Sequence, residues 1–317
     1  MDIYRDYFTR EELLLSLQTA QFIPGMLGAD GLFETLGLTG TTFAAEALPS
    51  DDVSEATAQP RGAPARPLAL EKRTVRTFTV ASYSWQRAVL ADEVLNMRGA
   101  GTTGIREVLQ TRRDRATAKL RRQADFQHEY LRIACLNSAT NTFGSAPAAA
   151  VVAFGPSDSG TREAIHTNVV LVMEAALGGI HYTGLTAYCS DTYWVALIGS
   201  KTIRETYLNQ IAASELRNAP SDQFDYGGIT WKRYRAGGNI AITSGQAKVV
   251  PNGVPGLFVQ AFAPNDTLDS VGEGQMGQPY FLDSFPLEDN KGIRLALSTH
   301  PVMVCTRPTA VVTVDLS

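Results

Sequence analysis

The sequence predicts an α+β protein, and three stretches of the 317-residue chain carry that prediction. Ile105 to Leu136 contains neither proline nor glycine, so it reads as one helix of roughly 35 residues, about 50 Å long and too long for a compact domain's interior. Gly184 to Leu216 runs in the order strand, helix, helix, as in a mixed α/β unit. Beyond Ile229 the chain is mainly strand and turn.

Along the long helix, Ile105, Leu109, Ala116, Leu120, Ala124 and Leu131 recur at spacings of four and seven. They make a thin apolar stripe with charge around most of the remainder, so only one side is expected to be fully buried. A coiled coil is the alternative, but a strict heptad from Ile105 meets Arg112, Lys119 and Phe126, which breaks the seam. A strut lying on a sheet fits better. At its start, Gly99 to Gly104 matches G-x-G-x-x-G. The segment before it, Ala91 to Arg98, is polar, and about 20 residues on lies Asp125, still inside the helix, so neither the strand nor the ribose-binding acid of a dinucleotide site is present. These glycines read as a flexible lead into the helix.

The formal charge of -4 argues against free nucleic-acid binding as the main role. Arg106, Arg112, Arg113, Arg115, Lys119, Arg121 and Arg122 form a local basic band, read as a solvated or interface face. Cys135, Cys189 and Cys305 are far apart and set among apolar neighbours, which predicts reduced, buried thiols and an intracellular assembly site. No apolar run reaches the ~18 to 20 residues of a membrane span, and Met1 to Asp6 lacks the basic-then-apolar order of a secretion signal, so a soluble, unprocessed chain is expected.

In chain order, Thr9-Arg-Glu-Glu12 is a capping box with Phe8 and Leu13 as staple, opening a short helix that ends before Pro24. The glycines from Gly25 to Gly40 punctuate an extended stretch without periodicity to bury a core, expected to be an arm lying on something else. Ala44 to Pro67 is rich in Ala, Pro and Asp and should be disordered alone. Its flanks, Leu38 to Phe43 and Val75 to Val80, are expected to pair as the base of a long hairpin, each arm of ~20 residues reaching roughly 65 Å at strand rise. Neighbouring molecules are expected to hold it.

After the strut, Pro147 to Phe154 reads as a short strand. Ser157 to Thr161 caps a helix through Ile165 to Leu177 that stops at Gly178-Gly179. Gly184 to Cys189 is a strand, Ser190 caps a helix through Ile198, and Thr202 to Leu216 continues helical. Ile229 to Tyr234 and Gly256 to Phe262 are strands, Pro251-Asn-Gly253 signals a turn, and Ile293 to Val314 holds two or three strands with Pro301 and Pro308 at breaks or edges.

Chemistry is hard to find in this inventory. The four histidines, His128, His166, His181 and His300, make no metal-ligand spacing, although His128 and Cys135 lie seven apart on one helical face. Gly155 to Ser159 misses the nucleophile elbow and reads as a turn. There is no P-loop lysine. Glu11-Glu12 and Asp51-Asp52 read as helix-dipole complement and solubility, and Trp85, Trp194 and Trp231 as packing. No catalytic residue, cofactor site or metal site is assigned.

In the C-terminal segment, Ser298-Thr-His-Pro301-Val-Met-Val-Cys-Thr-Arg-Pro308 followed by Ala310-Val-Val-Thr-Val314 is similar to the closing strands of a known family. Gly184 to Trp194 is similar to its axial domain. With the order of arm, extended loop and long helix, the chain resembles over nearly its whole length the tailed-phage major capsid proteins of the lambda-type capsid protein E family, whose capsid fold is of the Hong Kong ninety-seven type. The resemblance implies an N-terminal arm at 1–37, an extended β-hairpin loop at 38–82, a peripheral domain at 83–165 with its spine helix at about 103–137, and a mixed axial domain at 166–317 whose strands return to the peripheral domain. It implies a structural protein without enzyme activity, self-assembling as hexamers and pentamers of an icosahedral head around double-stranded DNA. Assembly is expected in the host cytoplasm, and the partners implied are scaffolding protein, portal and a decoration protein.

Arg61, Arg66, Lys72, Arg73 and Arg76 crowd the loop and its return arm, and are expected to pair with acids of adjacent subunits, since guanidinium forks suit interface carboxylates. With few lysines, and a start close to the arm, the chain is expected to use a separate scaffolding protein or none and no programmed crosslink. Boiling its shells in detergent should release one band near 34.3 kDa, and a ladder of multimers would contradict this. The rivals are an encapsulin-like nanocompartment shell, a soluble α/β nucleotide-binding enzyme using Gly99 to Gly104, and a tail-tube or other ring protein.

Overall fold

A computed structural model describes residues 10–19, 25–46, 75–95, 105–138, 150–151, 161–200, 203, 223–235, 240–267, 276–288 and 291–316. The chain forms two compact units by interleaving: residues 1–43, 78–132 and 260–303 make the first, and residues 44–77, 133–259 and 304–317 the second.

In the first unit, α1 (Arg10–Thr19), α2 (Met26–Ala29) and β1 (Glu34–Gly37) precede β4 (Tyr83–Leu90), α3 (Ala91–Leu95), α4 (Ile105–Ser138, through Arg132), β11 (Phe281–Pro286) and β12 (Gly292–Thr299). β12 pairs antiparallel with β11 on one side and with β4 on the other. Leu13 and Leu17 of α1, Ala116, Leu120 and Ala124 of α4, Val89 of β4, Leu282 of β11, and Ile293, Leu295 and Leu297 of the central β12 close into one core. Leu13 and Leu17 are four apart on one face of α1, and Leu295 and Leu297 two apart on one face of β12, so each element contributes the side its own period selects.

The expected long helix is present as α4, with 34 residues. Its buried side is wider than the stripe predicted. Leu109, Ala116, Leu120 and Ala124 are buried and Leu131 is half-buried, but Arg113, Thr117, Asp125, His128, Glu129 and Arg132 are buried as well. The thin-stripe reading fails because α1, the three-stranded sheet and the Gly25 to Gly37 segment all close on this helix. That segment also departs from expectation. It holds α2 and β1, and Leu27 and Phe33 are buried in it, because the burial comes from the elements it lies on and needs no periodicity of its own.

The second unit is built on a six-stranded sheet. It comprises β5 (Ala150–Val151), β6 (Gly184–Cys189), β7 (Gln223–Tyr226), β8 (Ile229–Arg233), β9 (Gln246–Asn252) and β14 (Val312–Asp315), in the order β5-β14-β9-β6-β8-β7. The β14–β5 and β6–β8 pairs are parallel, and β14–β9, β6–β9 and β7–β8 are antiparallel. Five consecutive residues are buried in both β6 and β9, as expected of strands covered on both faces.

A helix from α5 (Thr161–Ile165) through a π-helical turn (His166–Val170) into α6 (Leu171–Leu177) buries Ile165, Val169, Met173 and Leu177. It stops where Gly178 takes the left-handed conformation, φ 62°. α7 (Asp191–Gly199) starts as expected on Ser190, whose Oγ accepts from the Tyr193 N–H at 3.4 Å. Ile203 is helical and buried; the rest of the helix expected from Thr202 to Leu216 lies outside the described residues.

The turn expected at Pro251-Asn-Gly253 begins later, because Pro251 and Asn252 are still in β9, opposite Leu185 and Gly184. β14 ends its pairing at Val312 opposite Val249, so among the described residues Pro251 faces no strand on that side and its missing N–H breaks no ladder there. Gly253 (φ 75°) and Gly256 (φ 69°) then make the turn. β2 (Thr42–Glu46) and β3 (Val75–Thr79) pair as a two-stranded sheet. β3 is the far flank expected, whereas β2 overlaps the near flank expected at Leu38 to Phe43 only in Thr42 and Phe43. It takes in Ala44 to Glu46 of the stretch expected to be disordered alone, since strand pairing with β3 supplies the order that its composition does not. β10 (Phe258–Phe262) is the strand expected within Gly256 to Phe262, and β13 (Pro301–Cys305) completes the three C-terminal strands, with Pro301 at its first residue and Pro308 opening a 3-10 turn. All three cysteines are free and buried; burial pushes the Cys305 thiol up to about 12 and raises Cys135 and Cys189 as well.

Candidate assembly surface

Of the five basic residues expected at subunit contacts, Arg61, Arg66, Lys72 and Arg73 lie outside the described residues. Arg76 is in β3, exposed, next to Val75, which is 59% exposed. Other large apolar side chains are also uncovered in pairs at helical spacing. These are Phe126 and Tyr130 on α4, and Val195 and Ile198 on α7. Single exposed apolar residues are ordinary, whereas pairs on one helical face offer area that another surface can bury.

The basic band on α4 is not one solvated face. Arg113 is buried and its Nη1 reaches Glu12 Oε2 of α1 at 2.5 Å, while its Nε bonds Asp114 Oδ1 at 3.1 Å. Glu12, expected as a dipole complement, is therefore an ion-pair partner. Arg112 pairs with Glu93 at 3.6 Å, and the Arg121 guanidinium donates to the Leu17 carbonyl and lies 5.6 Å from the Tyr280 ring centre. These contacts tie α1 and α3 to the long helix.

Further along α4 the polar side chains are deeper. The Tyr280 hydroxyl donates to Asp125 Oδ1; burial raises the Asp125 carboxyl, against that hydrogen bond and the charges of Arg121 and Arg132. Burial raises the Tyr280 phenol too. His128 packs at 5.4 Å from the rings of both Phe262 and Tyr280, and its Nε2 is 2.8 Å from Thr299 Oγ1. Since the Thr299 hydroxyl donates to the Pro279 carbonyl at 2.7 Å, its oxygen is left to accept, and the neutral imidazole carries its proton on Nε2.

Burial, with repulsion from Arg132, holds the His128 imidazole down to about 3 against an ordinary 6.5. The unfolded imidazole binds a proton below 6.5 while the folded one stays neutral to about 3, so stability is full above pH 6.5 and falls as pH drops through that window. The loss should reach about 2 kcal/mol near pH 5. Asp125 works the other way, because its folded carboxyl keeps a proton that the unfolded one releases near 3.8. Urea midpoints measured from about pH 7 to about pH 5 should fall for the natural chain and stay nearly level for His128→Gln; equal slopes would reject this account.

Glu129 accepts from the backbone N–H of Leu27 at 2.9 Å and of Gly28 at 3.3 Å, and from Arg132 Nη1 at 3.2 Å. Arg132 also gives Nε and Nη2 to Gln260 Oε1, at 3.1 and 2.9 Å, and Gln260 Nε2 donates to Thr35 Oγ1 at 2.5 Å. Sequence reading missed this column. Its signal was there: Arg113, Thr117, Arg121, Asp125 and Glu129 step by four alongside the apolar stripe, with both signs of charge.

In the second unit two cations close helix ends. Buried Lys248 Nζ donates to Thr313 Oγ1 at 2.8 Å and to the Asn137 carbonyl in the last turn of α4 at 3.4 Å, and burial lowers its pKa. Arg307 Nη1 donates to the carbonyls of Ala176 and Leu177, at 3.3 and 2.7 Å, at the end of α6. Neither helix carries a basic residue in its own last turn, so the favourable positive charge comes from distant strands and turns. Among the described residues no three His, Cys, Asp or Glu side chains converge as a metal ion would require. Gly99 to Gly104 and Gly155 to Ser159 lie outside the described residues.

The chain is similar to several solved phage proteins. One is described as a capsid protein of a prophage of Escherichia coli CFT073, 14% identical, covering 97% of this chain and 99% of the other, with a TM-score of 0.61. A phage-related protein of Bordetella bronchiseptica RB50 is 11% identical over 96% and 95%, at 0.55. The mature capsid of bacteriophage PhiM1 is 12% identical over 94% and 89%, at 0.52. At such identities the likeness establishes the fold, which is the Hong Kong ninety-seven capsid type over nearly the full length. No curated protein matches the chain. A family model described as phage major capsid protein E matches residues 9–316, and the chain belongs to that family.

Proposed function

We propose that this phage major capsid protein, a structural component of the virion capsid and not an enzyme, builds its icosahedral head as hexamers and pentamers around double-stranded DNA. The segment between β2 and β3 reaches an adjacent subunit in this reading, with Arg61, Arg66, Lys72, Arg73 and Arg76 pairing with its acids. The domain division proposed is an arm at 1–37, an extended loop at 38–82, a peripheral domain at 83–165 and an axial domain at 166–317. Scaffolding protein, portal and a decoration protein are the proposed partners.

The observation carrying the loop assignment is the pairing of β2 with β3, which brings Glu46 and Val75 to one sheet, with the segment 47–74 between them in the sequence. Its polar, proline-rich composition lacks the apolar content to form a core of its own. Electron microscopy of the chain expressed with its neighbouring genes tests the proposal. Closed shells that protect double-stranded DNA after packaging are expected; open tubes or rings, or shells holding only protein cargo, would refute it.

A further inference from the structure

The contacts of Glu129 and Arg132 reach a stretch of chain about a hundred residues away. Glu129 holds the backbone at Leu27 and Gly28, and Arg132 holds Thr35 through Gln260, so one helical turn of α4 grips the Gly25 to Gly37 segment at two points. Leu27 at the first point and Phe33 between the two are buried.

The glycines of this segment match that grip. Gly25 has φ -62° and ψ 167°, a conformation open to any residue, so its backbone does not demand glycine. Space does: a Cβ there would fall 2.0 Å from Glu129 Cδ, and one on Gly28 would fall 2.6 Å from Arg132 Nη1. The segment approaches the long helix so closely because the carboxylate and guanidinium occupy the places where side chains would be. A buried carboxylate also loses heavily when its donors leave, so release of the segment is opposed by more than the loss of Leu27 packing.

We propose that Glu129 is a positioning residue for capsid assembly: with Arg132 it latches the Gly25 to Gly37 segment onto α4 and so fixes the part of the N-terminal arm that follows α1. This rests on the chain being a shell subunit. The latch acts in the free subunit, before any neighbour arrives, and presents that segment to one in a single position.

The test compares the natural chain with Glu129→Ala, Glu129→Gln, Gly25→Ala and the double variant Gly25→Ala/Glu129→Ala. Limited proteolysis of the soluble subunit, with cut sites located by mass spectrometry, reads the latch; shell yield by electron microscopy on co-expression reads assembly. Glu129→Ala and Gly25→Ala are each expected to speed cleavage within residues 25–37 by about tenfold or more and to lower shell yield, with Glu129→Gln between them and the natural chain. The double variant should be no faster than Glu129→Ala, because both changes remove the same contact. If Glu129→Ala does not fold, Gly25→Ala leaves α4 untouched and gives the same reading. Unchanged cleavage, multiplied effects in the double variant, or normal shells from subunits with a released segment would each overturn the latch. Absence of shells from the natural chain would instead sink the shell-subunit reading.

Discussion

Replacing Trp231 by alanine is expected to destabilise the second unit by about 3 to 5 kcal/mol, the usual cost of emptying a fully buried aromatic site. Trp231 is 0% exposed in β8, stacked at 6.0 Å on Tyr193, and its Nε1 donates to the Tyr226 carbonyl at 3.1 Å. Alanine there leaves a cavity between α7 and the sheet and removes the donor from the Tyr226 carbonyl at the end of β7. Such a loss is a large share of the ~5 to 15 kcal/mol that holds a domain folded, so soluble yield should drop with it. Urea unfolding of the soluble subunit measures it. Trp231→Phe keeps one aromatic ring but loses the N–H and the volume of the second ring, and should cost about 1 to 3 kcal/mol, less than alanine; equal losses from both substitutions would mean that the remaining ring contributes nothing to the site.

Charge reversal at Arg73 and Arg76 together is expected to abolish shells while leaving soluble, cooperatively folding subunit. Arg76 is exposed on β3, a strand that pairs only with β2 among the described residues, so reversing it buries no charge inside the subunit. At an interface with acidic partners each reversal turns attraction into like-charge repulsion, repeated at every copy in the shell. Arg73→Lys with Arg76→Lys keeps the charge and loses the planar fork, and should assemble at reduced yield. Sedimentation and electron microscopy separate the outcomes: shells of normal yield from the reversed pair would dismiss a role for these arginines, and insoluble subunit would assign them to folding.

Much of the fold was legible locally. The long helix, the Gly178 stop and the Ser190 cap were readable because helix period, capping oxygens and left-handed glycines act within a few residues of each other. The three C-terminal strands and β3 followed from β-rich composition between turn residues. The buried side of α4 was misread, since the apolar stripe marks what a helix can bury alone and says nothing of what other chain segments bring to it. Arg113 looks like any arginine of a basic band until Glu12 of α1 is beside it. Pro251 reads as a turn residue until β14 is seen to end before reaching it.

The amino-acid order by itself determined the α+β class, the length of the central helix, the absence of a recognisable catalytic motif and the likeness to phage capsid subunits. The first three depend on patterns that repeat or end within a short stretch of chain, and the likeness on the order in which such stretches follow one another. Only the tertiary structure decided which charges lie inside. The Glu129 latch on Leu27, the neutral His128 against Thr299 and the Lys248 cap on Asn137 join residues 102, 171 and 111 positions apart. Burial of a polar group is favourable only when its partner is already in place, and that partner is supplied by the packing of the whole unit.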